Sequence, residues 1–247
     1  MTNSSAQKDA RKDAQKDARK DARKDARKNG WKEWRLTVGL ILLTLVPMGA
    51  GAARIAQITG GAPVTPDNQR FFDMPVPVIA HIIGASLYVF LGAFQFNREF
   101  RRRRPGWHRI SGRLLVPCGL VAALTGLWMS TFYQLPAHDG PLLYAFRVFF
   151  GVAMAGSIVA GFRAILRRDI VRHRVWMTRG YAIGLGAGTQ VLTILPWQLI
   201  VGQPGPLARA MLMAAGWVIN LAVAEWYLRR RPARALPRRV PRSAAVV

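Results

Sequence analysis

The chain has 247 residues, is 51% apolar and carries a formal net charge of +24. Its apolar residues gather into six long blocks, which excludes an ordinary soluble domain and predicts a single membrane bundle. The excess charge lies in tails and alternate loops with no groove-reading motif beside it, so it predicts contact with anionic lipid headgroups and no nucleic-acid partner.

Residues 1–30 form a charged tail built on a Gln/Arg-Lys-Asp-Ala tetrad that ends at Asn29-Gly30. It has no apolar face to bury, so it reads as a disordered segment or a solvated helix, and its charge of +5 favours loose attachment to a bilayer surface. No cleavage pattern follows, so the first apolar block is expected to stay as an anchor. Trp31 and Trp34 sit where an interfacial aromatic belt belongs.

The six-helix domain is expected over 31–228. Helix one is predicted from about Leu36 to Ala53, with a kink at Pro47, and an external loop from Ile58 to Pro75. Helix two spans about Val76 to Phe96. The run Arg98 to Arg113 holds seven arginines against Glu99 alone and reads as a cytoplasmic loop. Helix three follows from about Ile110 to Tyr133, helix four from Leu142 to Ile165, helix five from Val175 to Trp197 and helix six from Leu207 to Leu228. An acid-free basic tail closes the chain at 229–247. Of 36 basic residues, 32 fall on one side of this scheme, three (Arg54, Arg70, Arg209) on the other, and Arg147 within a span. That asymmetry predicts an all-α integral membrane bundle with both termini cytoplasmic.

On helix two, His81, Gly84, Tyr88, Gly92 and Gln95 recur at spacings of three and four and share one face, which must point inward. Such a face serves either as interhelical hydrogen-bond glue or as the wall of a ligand pocket. Arg147, in helix four, lies at a depth similar to His81, and Gln190 and Asn220 are further polar groups inside apolar spans. An intramembrane arginine marks a functional site by default. His81, Tyr88, Gln95, Arg147, Gln190 and Asn220 are therefore the ligand-pocket candidates. With no carboxylate expected at that depth, Arg147 calls for a neutral His81, a glutamine oxygen, backbone carbonyls freed near Pro77 or a bound anion; the anion is the functional case, a carboxylate or quinone-like oxygen arriving from the periplasmic side.

His108-Arg109 with Arg113 opens helix three, and His173-Arg174 with Arg179 opens helix five, so the helix 2–3 and 4–5 hairpins read as a weak parallel repeat. These clusters are either clamps for anionic lipid phosphates or a site for haem b, with His108 and His173 as axial ligands and Arg109, Arg113, Arg174 and Arg179 near the propionates. The glycine row Gly180, Gly184 and Gly188 permits tight helix contact, inside the chain or in a homo-oligomer. Glu225 reads as a local partner of Arg229. The lone Cys118 excludes an intrachain disulfide, no close His/Cys/Asp set suggests a metal, and no hydrolase or kinase motif is present. Any enzymatic role would be that of a membrane oxidoreductase.

At His81, Gln95, RRRRPGWHRISGR and HRVWMTR, with GLWMS, GTQVL and NLAVAEW further along, the chain resembles a bacterial membrane family, domain of unknown function 2306, from about Pro75 to Arg229. The resemblance implies a polytopic protein of the bacterial cytoplasmic membrane and carries no established reaction. A fainter likeness to cytochrome b561-type haem bundles rests on histidines near helix ends, without two complete histidine pairs at two depths.

Overall fold

In the computed structural model, residues 31, 34–136 and 138–230 are described. The tetrad tail and most of the basic C-terminal tail, on which two sequence expectations fall, lie outside them. Helix α1 runs Trp34–Thr59. It is followed by α2 (Gln69–Asp73), α3 (Pro75–Gln95), α4 (Arg98–Arg103), α5 (Pro105–Phe132), α6 (Pro141–Leu166), α7 (Ile170–Gly184), α8 (Gly186–Ile200) and α9 (Pro206–Arg230). Among the described residues, six segments are long and apolar enough to cross a membrane, with α7 and α8 together forming the fifth. The bundle is all-helical among the described residues, as the apolar blocks imply.

Four of the six spans open on proline, at Pro75, Pro105, Pro141 and Pro206. Proline lacks the N–H that a first turn leaves unused and its φ is already helical, so each residue marks a start. The external loop of the sequence reading contains the short α2. The arginine run expected to be a loop is largely helical, because Asn97 Oδ1 accepts from the Phe100 N–H at 2.9 Å and starts α4, and Pro105 starts α5 immediately afterwards. Asn97 is fully buried and its Nδ2 donates to Thr37 Oγ1 at 3.4 Å, tying this corner to α1.

Hairpin α3–α5 packs beside hairpin α6–α7, with α9 against α6, α7 and α8. The core centres on Tyr88, 2% exposed, whose ring lies between Gly119 of α5 and Gly184 of α7. A Cβ at Gly119 would meet that ring at 2.6 Å, so the glycine is required for the aromatic side chain to enter. Tyr181 fits against Gly92, and its hydroxyl donates to the Val89 carbonyl at 2.7 Å.

The fifth span is not continuous. At Leu185 the helix breaks between glycines, the residues that lose most freedom on entering a helix. Asn220 of α9 compensates: its Nδ2 donates to the Ala182 carbonyl at 3.1 Å and its Oδ1 accepts from Thr189 Oγ1 at 2.7 Å. Backbone polar groups beside a break in a membrane need such partners. Large apolar side chains such as Leu124, Phe149 and Val223 stay more than half exposed and form the outward surface expected toward lipid.

Candidate functional site

A cavity of about 380 Å³ opens at the arginine-poor end of the bundle. Its deep wall is apolar or aromatic, with Tyr88, Met154, Phe150 and Trp217, and the last two rings stack at 4.7 Å. Its polar border consists of Arg70, His81, Ser130, Asp139, Arg147 and Gln190. This combination, a mainly apolar hollow with a few polar groups, is the usual form of a small-molecule site.

His81 and Arg147 each sit six residues into their helices, roughly 9 Å from the start along the axis. Both border this cavity, together with Tyr88 and Gln190. Two other pocket candidates do not. Gln95 is on the same face of α3 as His81 but fourteen residues further along, where its Nε2 donates to Ser111 Oγ at 2.6 Å. Asn220 is held at the helix break, as described above.

The sequence reading found no carboxylate for Arg147, and the fold corrects it. Asp139, from the turn between α5 and α6, reaches inward until its side chain is only 3% exposed. It accepts from Arg147 Nη2 at 2.7 Å and from Arg209 Nε at 2.6 Å. The next-door His138 remains on the surface. Burial opposes ionisation of Asp139, but the Arg147 and Arg209 guanidiniums outweigh it and hold the carboxyl below its ordinary range. Two guanidiniums thus share one carboxylate. Arg70 adds a third positive group at the rim, stacked over Phe71 at 4.5 Å and within electrostatic reach of both Asp139 and Arg147.

The His81 ring is fixed from α5. Its Nδ1 lies 2.8 Å from the Ala122 carbonyl oxygen and 3.3 Å from Thr125 Oγ1, while the Thr125 hydroxyl itself donates to the Val121 carbonyl at 2.5 Å. Gln190 is buried and one Nε2 hydrogen is donated to the Met213 carbonyl at 3.0 Å, leaving the amide oxygen and the second N–H.

At the arginine-rich end, His173 Nδ1 pairs with the Gly161 carbonyl at 2.9 Å, whereas His108 Nδ1 is buried with no hydrogen-bond partner among the described residues. Neither borders the cavity. The four arginines expected around a haem are placed otherwise: Arg109 and Arg113 are exposed, Arg174 lies over the Tyr227 ring, and Arg179 Nε donates to Glu225 at 2.6 Å. The bonded partner of Glu225 is thus Arg179 on the neighbouring α7, while Arg229, the partner expected one turn away, contributes its charge without a bond. Gly180 and Gly184 meet Ile158, Ser157, Tyr88 and Met154, and Gly188 meets the Leu43 backbone. The glycine row is therefore spent inside the chain and is not open to a second copy.

Asp139, Arg70 and Trp217 went unassigned as site residues in the sequence reading. The signal available for Asp139 was a lone acid at the apolar border, next to two spans that each contain an arginine.

Together, the helices and the hollow among them define a multi-pass α-helical membrane protein with an interior cavity near one end. The chain belongs to the family described as "Predicted membrane protein (DUF2306)", whose profile matches residues 78–228. That match runs from the first turn of α3 through most of α9, and takes in the side chains His81, Asp139, Arg147 and Gln190. No curated protein and no solved structure matches the chain.

Proposed function

We propose that the cavity binds a small amphiphile with an anionic head, placing the head at Arg70 and Arg147 and the apolar body against Met154, Phe150 and Trp217. The observation that carries this is the rim's charge: Arg147 and Arg209 share a single carboxylate, Asp139, and Arg70 stands beside them. A head that brings negative charge completes that pairing, and the low-dielectric surroundings strengthen the interaction. The protein is a carrier or receptor for such a molecule in the bacterial cytoplasmic membrane. Its arginine-rich end, with both termini, is cytoplasmic and touches anionic lipid, and the cavity opens on the periplasmic side.

The test uses protein in nanodiscs and a terminally brominated dodecanoate, which quenches tryptophan on contact. Saturable quenching that disappears in Trp217→Phe is the expected result. Equal quenching by terminally brominated dodecylamine would overturn the anionic preference, and a linear, unsaturable response would overturn the site.

A second reading keeps haem b between His108 and His173. One observation favours it: the Gly161 carbonyl holds His173 Nδ1, as an outer partner does for a ligating histidine, and leaves Nε2 free. The four nearby arginines do not support it, being exposed or engaged elsewhere. A spectrum separates the two readings, as argued below.

A further inference from the structure

The anionic head explains Arg70 and Arg147 but leaves His81 without a task, although it borders the same cavity. Its chemistry can be read from its neighbours. A backbone carbonyl only accepts, so Nδ1, at 2.8 Å from the Ala122 oxygen, must carry the proton. The second neighbour agrees. Thr125 has one hydroxyl hydrogen, directed at the Val121 carbonyl, so its oxygen also presents a lone pair to Nδ1. Both contacts come from α5 and require a proton on Nδ1, so in the neutral ring Nε2 is a bare acceptor. Gln190 offers an acceptor too: one of its two amide N–H groups is directed at the Met213 carbonyl, and its carbonyl oxygen and second N–H remain.

Besides Ser130, Asp139 and the Tyr88 hydroxyl, the cavity's polar border therefore includes cationic donors at the rim and, on walls from α3 and α8, two neutral groups that offer acceptors, His81 Nε2 and Gln190 Oε1. A plain fatty acid uses the first and wastes the second, since its chain has nothing to donate. An acceptor facing hydrocarbon goes unmatched, and sites built to bond a hydroxyl reject analogues that lack one.

We infer that the ligand class is a hydroxylated anionic amphiphile, whose chain hydroxyl donates to His81 Nε2 while its head lies at Arg70 and Arg147. This rests on the cavity reading above, and it names His81 as a specificity-determining residue.

The experiment is displacement of the terminally brominated dodecanoate by unlabelled dodecanoate and by dodecanoates hydroxylated singly along the chain. At least one hydroxylated isomer should displace the probe about tenfold better than dodecanoate, a margin of about 1.4 kcal/mol. That advantage should vanish in His81→Phe while plain dodecanoate still displaces. If dodecanoate competes and no hydroxylated isomer does better, the inference is overturned and the anionic cavity stands. If no dodecanoate competes, both fall. Because His81→Phe could unfold the bundle, a second measurement keeps the test decisive: nitrogen-labelled histidine should show two rings with protonated Nδ1 and bare Nε2, His81 and His173, and the one that persists in His173→Ala should have its Nε2 resonance move when the preferred isomer is added. A proton on His81 Nε2 in the free protein would overturn the assignment.

Discussion

Asp139 and Arg147 are joined at 2.7 Å, the carboxylate from a turn and the guanidinium from the second turn of a membrane helix. The side chains of a helix lean toward its N-terminus, so Arg147 reaches back along α6 to the acid that precedes it. Arg209 meets the same carboxylate from α9, and one acid thereby fastens the α5–α6 turn to two helices. Because the folded carboxyl titrates below its unfolded value, the stability it contributes is complete above about pH 4 and is lost as pH falls through the folded value. Thermal unfolding in nanodiscs should show this acid limb in the native protein and a weaker one in Asp139→Asn. The variant leaves two guanidiniums without their carboxylate and should cost about 3 kcal/mol at neutral pH. Arg209→Gln, which leaves Asp139 one partner, should cost less. An Asp139→Asn protein as stable as the native one at pH 7 would remove the clasp.

A second prediction concerns Tyr88. A methyl group at Gly119 would meet its ring at 2.6 Å, whereas one at Gly156, in the neighbouring α6, would meet nothing within 4 Å. Gly119→Ala should destabilise by about 1–3 kcal/mol, the usual cost of overpacking, and Gly156→Ala should be neutral or slightly stabilising through helix propensity. Pairing Gly119→Ala with Tyr88→Leu should recover part of the loss. Additive losses would mean that the two positions are not in contact.

The bundle was legible because bilayer length is written into each apolar block and proline marks most starts. Depth along a face was not: His81 and Gln95 share a stripe of α3, yet their fourteen-residue separation is about 21 Å and puts only His81 at the cavity. Partners across helices were equally hidden. Glu225 has Arg229 one turn away in sequence, and nothing local says that Arg179 on another helix comes within 2.6 Å. The glycines from 180 to 188 carry one signature for two roles, close packing and a helix break, and both are realised here.

For haem, the expected outcome is a colourless protein. His108 has no partner at Nδ1 among the described residues to orient its ring, and Arg179 is committed to Glu225 rather than to a propionate. Protein produced with added haem precursor should show no Soret band. A band that shifts on dithionite reduction and is lost in both His108→Ala and His173→Ala would reinstate the electron-carrier reading.

The final prediction separates binding from folding at the cavity rim. Arg147 serves two purposes, since it bonds Asp139 and also borders the cavity, so Arg147→Gln should lower thermal stability and weaken dodecanoate binding together. Arg70 stands differently: its guanidinium stacks on Phe71 at the surface of the rim, and its charge reaches the cavity without bonding the buried carboxylate. Arg70→Gln should therefore keep the native unfolding temperature to within a degree or two while weakening dodecanoate by roughly tenfold, about 1.4 kcal/mol. The loss should shrink as salt is raised, because an interaction at the rim is partly screened. Arg54→Gln is the control, a cation that also stacks on Phe71 yet does not border the cavity. If Arg70→Gln and Arg54→Gln weaken binding equally, the effect is a diffuse surface potential, and the head-group site at Arg70 and Arg147 is wrong.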